Sequence, residues 1–304
     1  MARKQAKILT VGNQKGGVGK TFISKHLAEY ASIIRGMRVL LVDLDPQTNL
    51  SRRYLDMSPS EHDANEYAPP IHPDYYDGDE DLIEVGGRSD ASHIWKYGFA
   101  LPYGAEYQDV NGEKAEYPNL DIMPGHSANL QDIEYVKRED VYDQVVHWLR
   151  KFLLLDAIQE EYDLIILDTR PSRGPLVQAA ANASTHMLLP TEMESPSIDG
   201  IRGMLTVRTN ANNQRTDGDE LKLLGILVNK YKRQTRLHRS VHEMLESDPD
   251  LGPLMLPQIL GDWVGYKELM LPKSMSIFLR SDYPKEREQM EAVCGMMIDR
   301  MQEA

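Results

Sequence analysis

The 304-residue chain has a single cysteine, Cys294. That excludes an internal disulfide framework and any iron–sulfur centre held by several of its own thiolates. It contains no run of about 18 apolar residues, so no membrane span is expected. Residues 1–14 are basic at the start but lack the apolar stretch and small-residue cleavage site of a secretory signal. Nine histidines show no metal-ligand spacing; His238 and His242 fall four apart on an expected helix, with no Glu or Cys completing a zinc set. Positive charge is in short supply: 34 Lys and Arg stand against 47 Asp and Glu, a net charge of −13. This balance argues against a generally basic nucleic-acid binder but leaves room for a local patch. The remainder, 41% hydrophobic and 27% charged, is the composition of a soluble cytoplasmic globular protein with a full core.

The negative charge is concentrated. Between residues 56 and 118 there are fifteen acidic residues and three basic ones, Arg88, Lys96 and Lys114. This stretch is also rich in Tyr, Pro, Gly and His and has no sustained period of 3.6 or 2. Residues 57–118 therefore read as an acidic insertion, partly ordered by its aromatics, within one domain spanning 1–304. It is either a solvated loop or a surface for docking a partner or masking the chain's own cations.

The rest alternates. Residues 6–12, 38–43, 119–123, 163–168, 186–190 and 221–228 are short apolar runs that fit strands of a parallel sheet covered on both faces. Helical patterns span 20–35, 140–160, 176–183, 199–210, 237–245 and 283–302. The expected fold is α/β: a doubly wound, mostly parallel sheet with helices on both faces. Cys294 and many of the fifteen methionines fit a core or interface.

Residues 13–21 read NQKGGVGKT, directly after a strand and opening a helix. Gly16, Gly17 and Gly19 let the backbone curl around Val18 so that N–H groups point at phosphate oxygens. The helix that opens at Lys20 and continues through Phe22 presents its positive end to the same anion. Lys20 is suited to the β- and γ-phosphates, and the Thr21 hydroxyl to Mg²⁺. The strict phosphate-loop pattern fails only at its first position, Gln14, and a second lysine, Lys15, opens the loop. Farther on, DLDPQ places Asp43 and Asp45 on one face at a strand's carboxyl end, where doubly wound sheets bind ligands. The run DLIILD ends in Asp168, a carboxylate suited to Mg²⁺.

These motifs resemble the deviant Walker-A ATPases of the ParA/MinD superfamily. The family loop, KGGVGKT, is matched verbatim at Lys15–Thr21, and the family's D-x-D-P-Q motif at Asp43, Asp45, Pro46 and Gln47. The resemblance implies a P-loop NTPase fold and an ATP-dependent homodimer around two ATP–Mg²⁺. It implies that Lys15 reaches across the dimer to the partner's nucleotide, that Asp45 positions the attacking water, and that Thr21, Asp43 and Asp168 serve Mg²⁺. It also places Pro190, Thr191 and Glu192 near the base or dimer seam, and Asn229 at the base, beside the phosphate-loop residues through Phe22. Where the family usually has proline after the Asp-Thr pair, this chain has Arg170. That cation can face phosphate, an acidic neighbour, a partner chain or solvent.

Lys230, Lys232, Arg233, Arg236 and Arg239 form a ten-residue basic stretch without acids. Such a cluster releases counterions on binding DNA without reading sequence; it is equally a solvated loop and helix face. By the resemblance, it binds nonspecific DNA in the ATP-bound dimer. The function this implies is a slow, partner-stimulated ATPase that segregates plasmid or chromosomal DNA on the nucleoid with a ParB-like centromere-binding protein. The alternatives are a relative that positions another cargo, or a MinD-like membrane switch. The last would need a basic amphipathic C-terminal helix, whereas the terminal residues here are acidic to neutral.

Overall fold

The computed structural model describes residues 5–59, 66–137, 139–216 and 218–303. Ten strands occur among them: β1 (Lys7–Val11), β2 (Val39–Asp43), β3 (Ser58–Pro59), β4 (Tyr67–Ala68), β5 (Tyr103–Gln108), β6 (Lys114–Met123), β7 (Leu164–Asp168), β8 (His186–Thr191), β9 (Lys222–Tyr231) and β10 (Met255–Gly261). Eight of them form one sheet in the order β10-β9-β8-β1-β7-β2-β6-β5, and β3 pairs with β4. Every pairing in the large sheet is parallel except that of β5 with β6.

The central strands are buried on both faces, which is why their sequences are unbroken apolar runs. Alternate residues feed two cores. Leu9, Leu41 and Ile166 face helix Lys20–Ile33 and the last helix, Pro284–Glu303. Ile8, Leu40, Val42, Ile165 and Leu167 face helices Glu139–Leu153 and Pro175–Ala183. A third cluster packs helix Ser195–Asn212 and helix Arg236–Ser247 around β8 and β9.

The six expected strands and six expected helical regions are present, with three differences. First, the pattern at 140–160 is two helices, Glu139–Leu153 and Asp156–Glu161. Leu155 is extended, Asp156 opens the second helix with a favourable first-turn charge, and the Gln159 amide donates to the Leu153 carbonyl at 2.7 Å, capping the first. Second, β10, between the expected helices at 237–245 and 283–302, adds a parallel edge strand; Pro257 within it is tolerated because one side of an edge strand makes no ladder.

Third, the acidic segment completes the sheet. It supplies β5 and the first half of β6, an antiparallel hairpin on the sheet's other edge. Its aromatics do the ordering: Tyr103 donates to the Pro70 carbonyl at 2.9 Å and packs against His72, while Tyr107 and Tyr117 lie 4.5 Å apart. Lys273, buried at the end of a distant segment, pairs with Glu106 at 3.0 Å and with Asp56. Part of the segment's negative charge is therefore spent internally.

Helix Lys20–Ile33 carries a buried ion pair, Lys25 to Glu29 at 2.7 Å, with both side chains fully enclosed. The Tyr54 hydroxyl donates to the same Glu29 oxygen at 3.3 Å. Removing one buried partner strands the other in low dielectric. Lys25→Ala should therefore cost about 3–5 kcal/mol in urea denaturation, and the pair Lys25→Met with Glu29→Leu should recover most of that loss. Removing the exposed Arg38–Glu161 pair should change stability by about 1 kcal/mol or less.

Candidate nucleotide site

Register builds the site. Asp43 is the Cα partner of Asp168, and Val11 is paired with Asp168 on the other side. The carboxyl ends of β2, β7 and β1 are therefore neighbours, and the loop that leaves β1 folds over the two carboxylates.

In that loop Gly17 and Gly19 have φ of 84° and 94°, a region side chains rarely adopt. A Cβ on Gly19 would also lie 2.1 Å from Asn229 Nδ2. Asn13 braces the loop's base, donating to the Pro190 carbonyl at 2.8 Å and accepting from Lys15 N at 2.9 Å. Asn229, buried at the end of β9, donates to the Val18 carbonyl at 2.9 Å and accepts from Lys230 N at 2.9 Å.

Lys20 is buried and donates to the Asn13 and Lys15 carbonyls at 3.2 and 3.3 Å. Burial lowers its pKa, opposed by the charges of Asp168 and Asp45. The Thr21 hydroxyl donates to Asp168 Oδ2 at 2.6 Å, and Ser24 to Asp168 Oδ1 at 3.1 Å. Burial, with the Asp43 charge second, raises Asp168 to about 7. Burial raises Asp43 to about 6 against the hydrogen bonds from Ser51. Asp43 Oδ2 accepts from Ser51 N and Oγ at 2.8 and 2.7 Å, and Oδ1 from Asp45 N at 3.2 Å. Asp43 thus acts on its surroundings through Ser51 and the start of the 45–50 segment. Asp45, largely buried, accepts from Gln47 N at 3.0 Å and lines the cavity.

The cavity has a volume of about 590 Å³. Gly16, Gly17, Gly19, Lys20, Thr21, Phe22, Asp45 and Asn229, all singled out in the sequence, line it. Val18 is buried behind the loop, and Pro190 lies inside β8, touching the loop through Asn13. Arg53, Asp262, Trp263, Tyr266, Lys267 and Met270 also line it. These carry no signal in the sequence, because most follow β10, whose apolar run is interrupted by Pro257 and Gln258. Phe22 and Tyr266 pack edge-on at 5.1 Å, giving the cavity an aromatic wall.

Other candidates are engaged within the chain. Lys15 Nζ lies 2.5 Å from Glu194 and 3.6 Å from Glu192. Its contact holds the Glu194 carboxyl below the usual range. Thr191 is buried at the end of β8. Arg170 faces an acidic neighbour, Glu134, at 3.9 Å. The basic stretch is not one open patch. Lys230, with φ of 53°, turns back to Glu192 at 2.7 Å and to the Gly17 carbonyl, so it belongs to the cavity wall. Lys232 pairs with Asp262 at 3.0 Å. Arg233, Arg236 and Arg239 are exposed, and Arg239 donates to the Arg233 carbonyl at 3.0 Å.

The donor set fits a phosphate chain with a divalent cation. The loop offers a glycine-rich backbone, the Lys20 ammonium donates to two loop carbonyls, and Thr21 converges with a buried carboxylate that burial disfavours as an anion. Among the described residues no group of three or more His, Cys, Asp or Glu could hold a metal by itself. A cation here would draw further oxygens from phosphate and water, as Mg²⁺ does.

A strand–glycine loop–helix unit with a second strand ending in a carboxylate beside it defines a P-loop nucleotide-binding protein. A family model described as an AAA domain matches residues 6–222, and the chain belongs to that family, within the ParA/MinD superfamily of partition-type ATPases. It is 29% identical over 242 residues to the sporulation initiation inhibitor protein Soj of Bacillus subtilis, covering 78% of each chain. It is 28% identical over 251 residues to the chromosome-partitioning ATPase Soj of Thermus thermophilus, covering 81% of this chain and 78% of that one. The ATP complex of a Cyanothece McdA variant shares the fold, with a TM-score of 0.70 over 97% of both chains at 17% identity.

Gly19→Ala should abolish nucleotide binding by calorimetry while leaving the circular dichroism spectrum intact, because both the left-handed backbone and the Asn229 contact oppose a Cβ. Asn229→Ala should weaken binding by roughly tenfold, about the worth of a buried hydrogen bond that braces the loop.

Proposed function

We propose that the chain is an ATP-hydrolysing partition switch. It binds ATP and Mg²⁺ in the cavity, pairs with a second copy, and binds DNA on the nucleoid without sequence preference. A ParB-like centromere-binding or adaptor protein stimulates hydrolysis and release, so that plasmid or chromosomal DNA is segregated. The observation that carries the nucleotide half is the Thr21–Asp168 contact beneath the glycine loop, with Lys20 buried behind it. The partition half is supported by membership of the superfamily and the likeness to the Soj proteins.

In this reading the loop N–H groups and Lys20 hold the β- and γ-phosphates. Thr21 and Asp168 hold Mg²⁺, with Asp43 in support; the cation neutralises charge on the phosphates. Asp45 orients the attacking water. Lys15 adds positive charge in trans once two chains meet, which ties hydrolysis to dimerisation. Asn229 and the wall from Trp263 to Met270 take the base.

DNA contact is assigned to the exposed arginines Arg233, Arg236 and Arg239, with Lys230 and Lys232 joining only if their pairs to Glu192 and Asp262 open. A MinD-like membrane role is less well supported. No helix among the described residues is long and apolar enough to cross a membrane, and the apolar side of the last helix, Met290, Val293, Met297 and Met301, is buried in the core. A relative that moves another cargo would use the same site.

Asp45→Ala should keep ATP binding and lower hydrolysis by at least about a hundredfold in a phosphate-release assay. An unchanged rate would remove Asp45 from its role. Binding to arbitrary duplex DNA, measured with ATP, with ADP and without nucleotide across a salt series, tests the partition half. Binding with ATP alone, falling steeply with salt, is expected. Arg233→Ala and Arg236→Ala should each reduce the salt slope by about 1. No DNA binding in any state would overturn the DNA role.

A further inference from the structure

Lys15, the cation assigned a role across the dimer, is already occupied in the single chain. Its Nζ lies 2.5 Å from Glu194 and 3.6 Å from Glu192, and Glu192 also holds Lys230 at 2.7 Å. The four side chains form a balanced cluster of two cations and two anions, but the members are not equivalent. Lys230 has a second anchor at the Gly17 carbonyl, so Glu192 is its partner. Glu194 sits at the N-terminal boundary of helix Ser195–Asn212, yet its side chain makes no capping bond there. Its carboxylate is spent on Lys15.

The mechanics suit a latch. The Lys15 backbone is fixed at both ends: its N–H donates to Asn13 Oδ1 at 2.9 Å, and its carbonyl accepts from Lys20 Nζ at 3.3 Å. Only the side chain is free to swing. Glu194 is about half exposed, with a side-chain exposure of 47%. Exposed pairs are worth little and are screened by salt, so a phosphate chain carrying several charges can displace such a carboxylate.

We propose that Glu194 parks Lys15 within its own chain, and that nucleotide-dependent pairing proceeds by exchanging this carboxylate for the phosphates of the second chain's nucleotide. This rests on the pairing proposed above. Glu194 is then a restraint on dimerisation: it holds the single chain in check at low protein or nucleotide concentration, and it releases Lys15 only when a stronger anion arrives.

The test is sedimentation of the full-length chain with Mg²⁺ and a non-hydrolysable ATP analogue over a range of protein concentrations. Glu194→Gln should dimerise at roughly fivefold lower concentration than wild type, since two parked lysines are freed per dimer and each exposed pair is weak. Glu194→Asp keeps the charge but shortens the reach, and should shift the midpoint part of the way. The advantage of Glu194→Gln over wild type should shrink as salt rises from about 50 to 500 mM, because screening opens the latch in wild type as well. A midpoint that is unchanged or higher in Glu194→Gln, in a wild type that does dimerise, overturns the parking role alone. Wild type and both variants remaining monomeric with the analogue at every concentration overturns the pairing itself, and the latch with it. Circular dichroism of both variants checks that the fold is kept.

Discussion

Two buried carboxylates, Asp43 and Asp168, stand side by side because β2 and β7 pair in register. Burial is the larger part of what pushes both groups upward, Asp43 to about 6 and Asp168 to about 7, with the Asp45 charge adding to the first and the Asp43 charge to the second. Much of the surrounding structure answers the cost of that burial. Ser51, Thr21, Ser24 and the Asp45 N–H donate to the pair, and Lys20 is buried beside them. The glycine loop takes its course beside the site through left-handed backbone angles at Gly17 and Gly19, which side chains rarely adopt. An anion chain with a divalent cation would meet these requirements together: Asp168 and Thr21 would hold the cation, and the loop, Lys20 and the helix end the anion.

Strand burial also decides how much of the fold is legible in the amino-acid sequence. Strands buried on both faces are unbroken apolar runs, so β1, β2, β7, β8 and β9 stand out; β2 and β7 end at Asp43 and Asp168, and β9 carries Asn229 near its end. Edge strands carry a weaker signal. In β5 only Tyr103 and Ala105 are buried, the flanking residues are polar, and the alternation is too short to separate from the acidic loop around it. In β10 a proline and a glutamine interrupt the run. The far wall of the cavity follows β10, so it was hidden for the same reason. Pairing of long side chains across the chain was equally beyond the pattern: nothing in the spacing of Lys230 shows that a positive φ turns it from the basic stretch toward the phosphate loop.

The charge distribution takes on a different meaning in three dimensions. In the sequence, an acidic segment and a basic stretch look like opposed surfaces. In the fold, Glu106 and Asp56 are paired with Lys273, Asp262 with Lys232, and Glu192 and Glu194 with Lys230 and Lys15. Several of these pairs border the cavity. A polyanion bound there would compete with the acidic members for the same lysines. The exposed arginines lie in that loop and the helix that follows it.

Phosphate and cation are coupled at one site if the loop and Asp168 serve a single ligand. The most direct measurement is calorimetric titration of ATP into the full-length chain, with Mg²⁺ and with EDTA, for wild type and Asp168→Asn. The predicted result is one ATP per chain, bound with Mg²⁺ and weakened by roughly tenfold or more in EDTA, with Asp168→Asn insensitive to the change. ATP binding that ignores Mg²⁺ in wild type, or no binding at all, would contradict it.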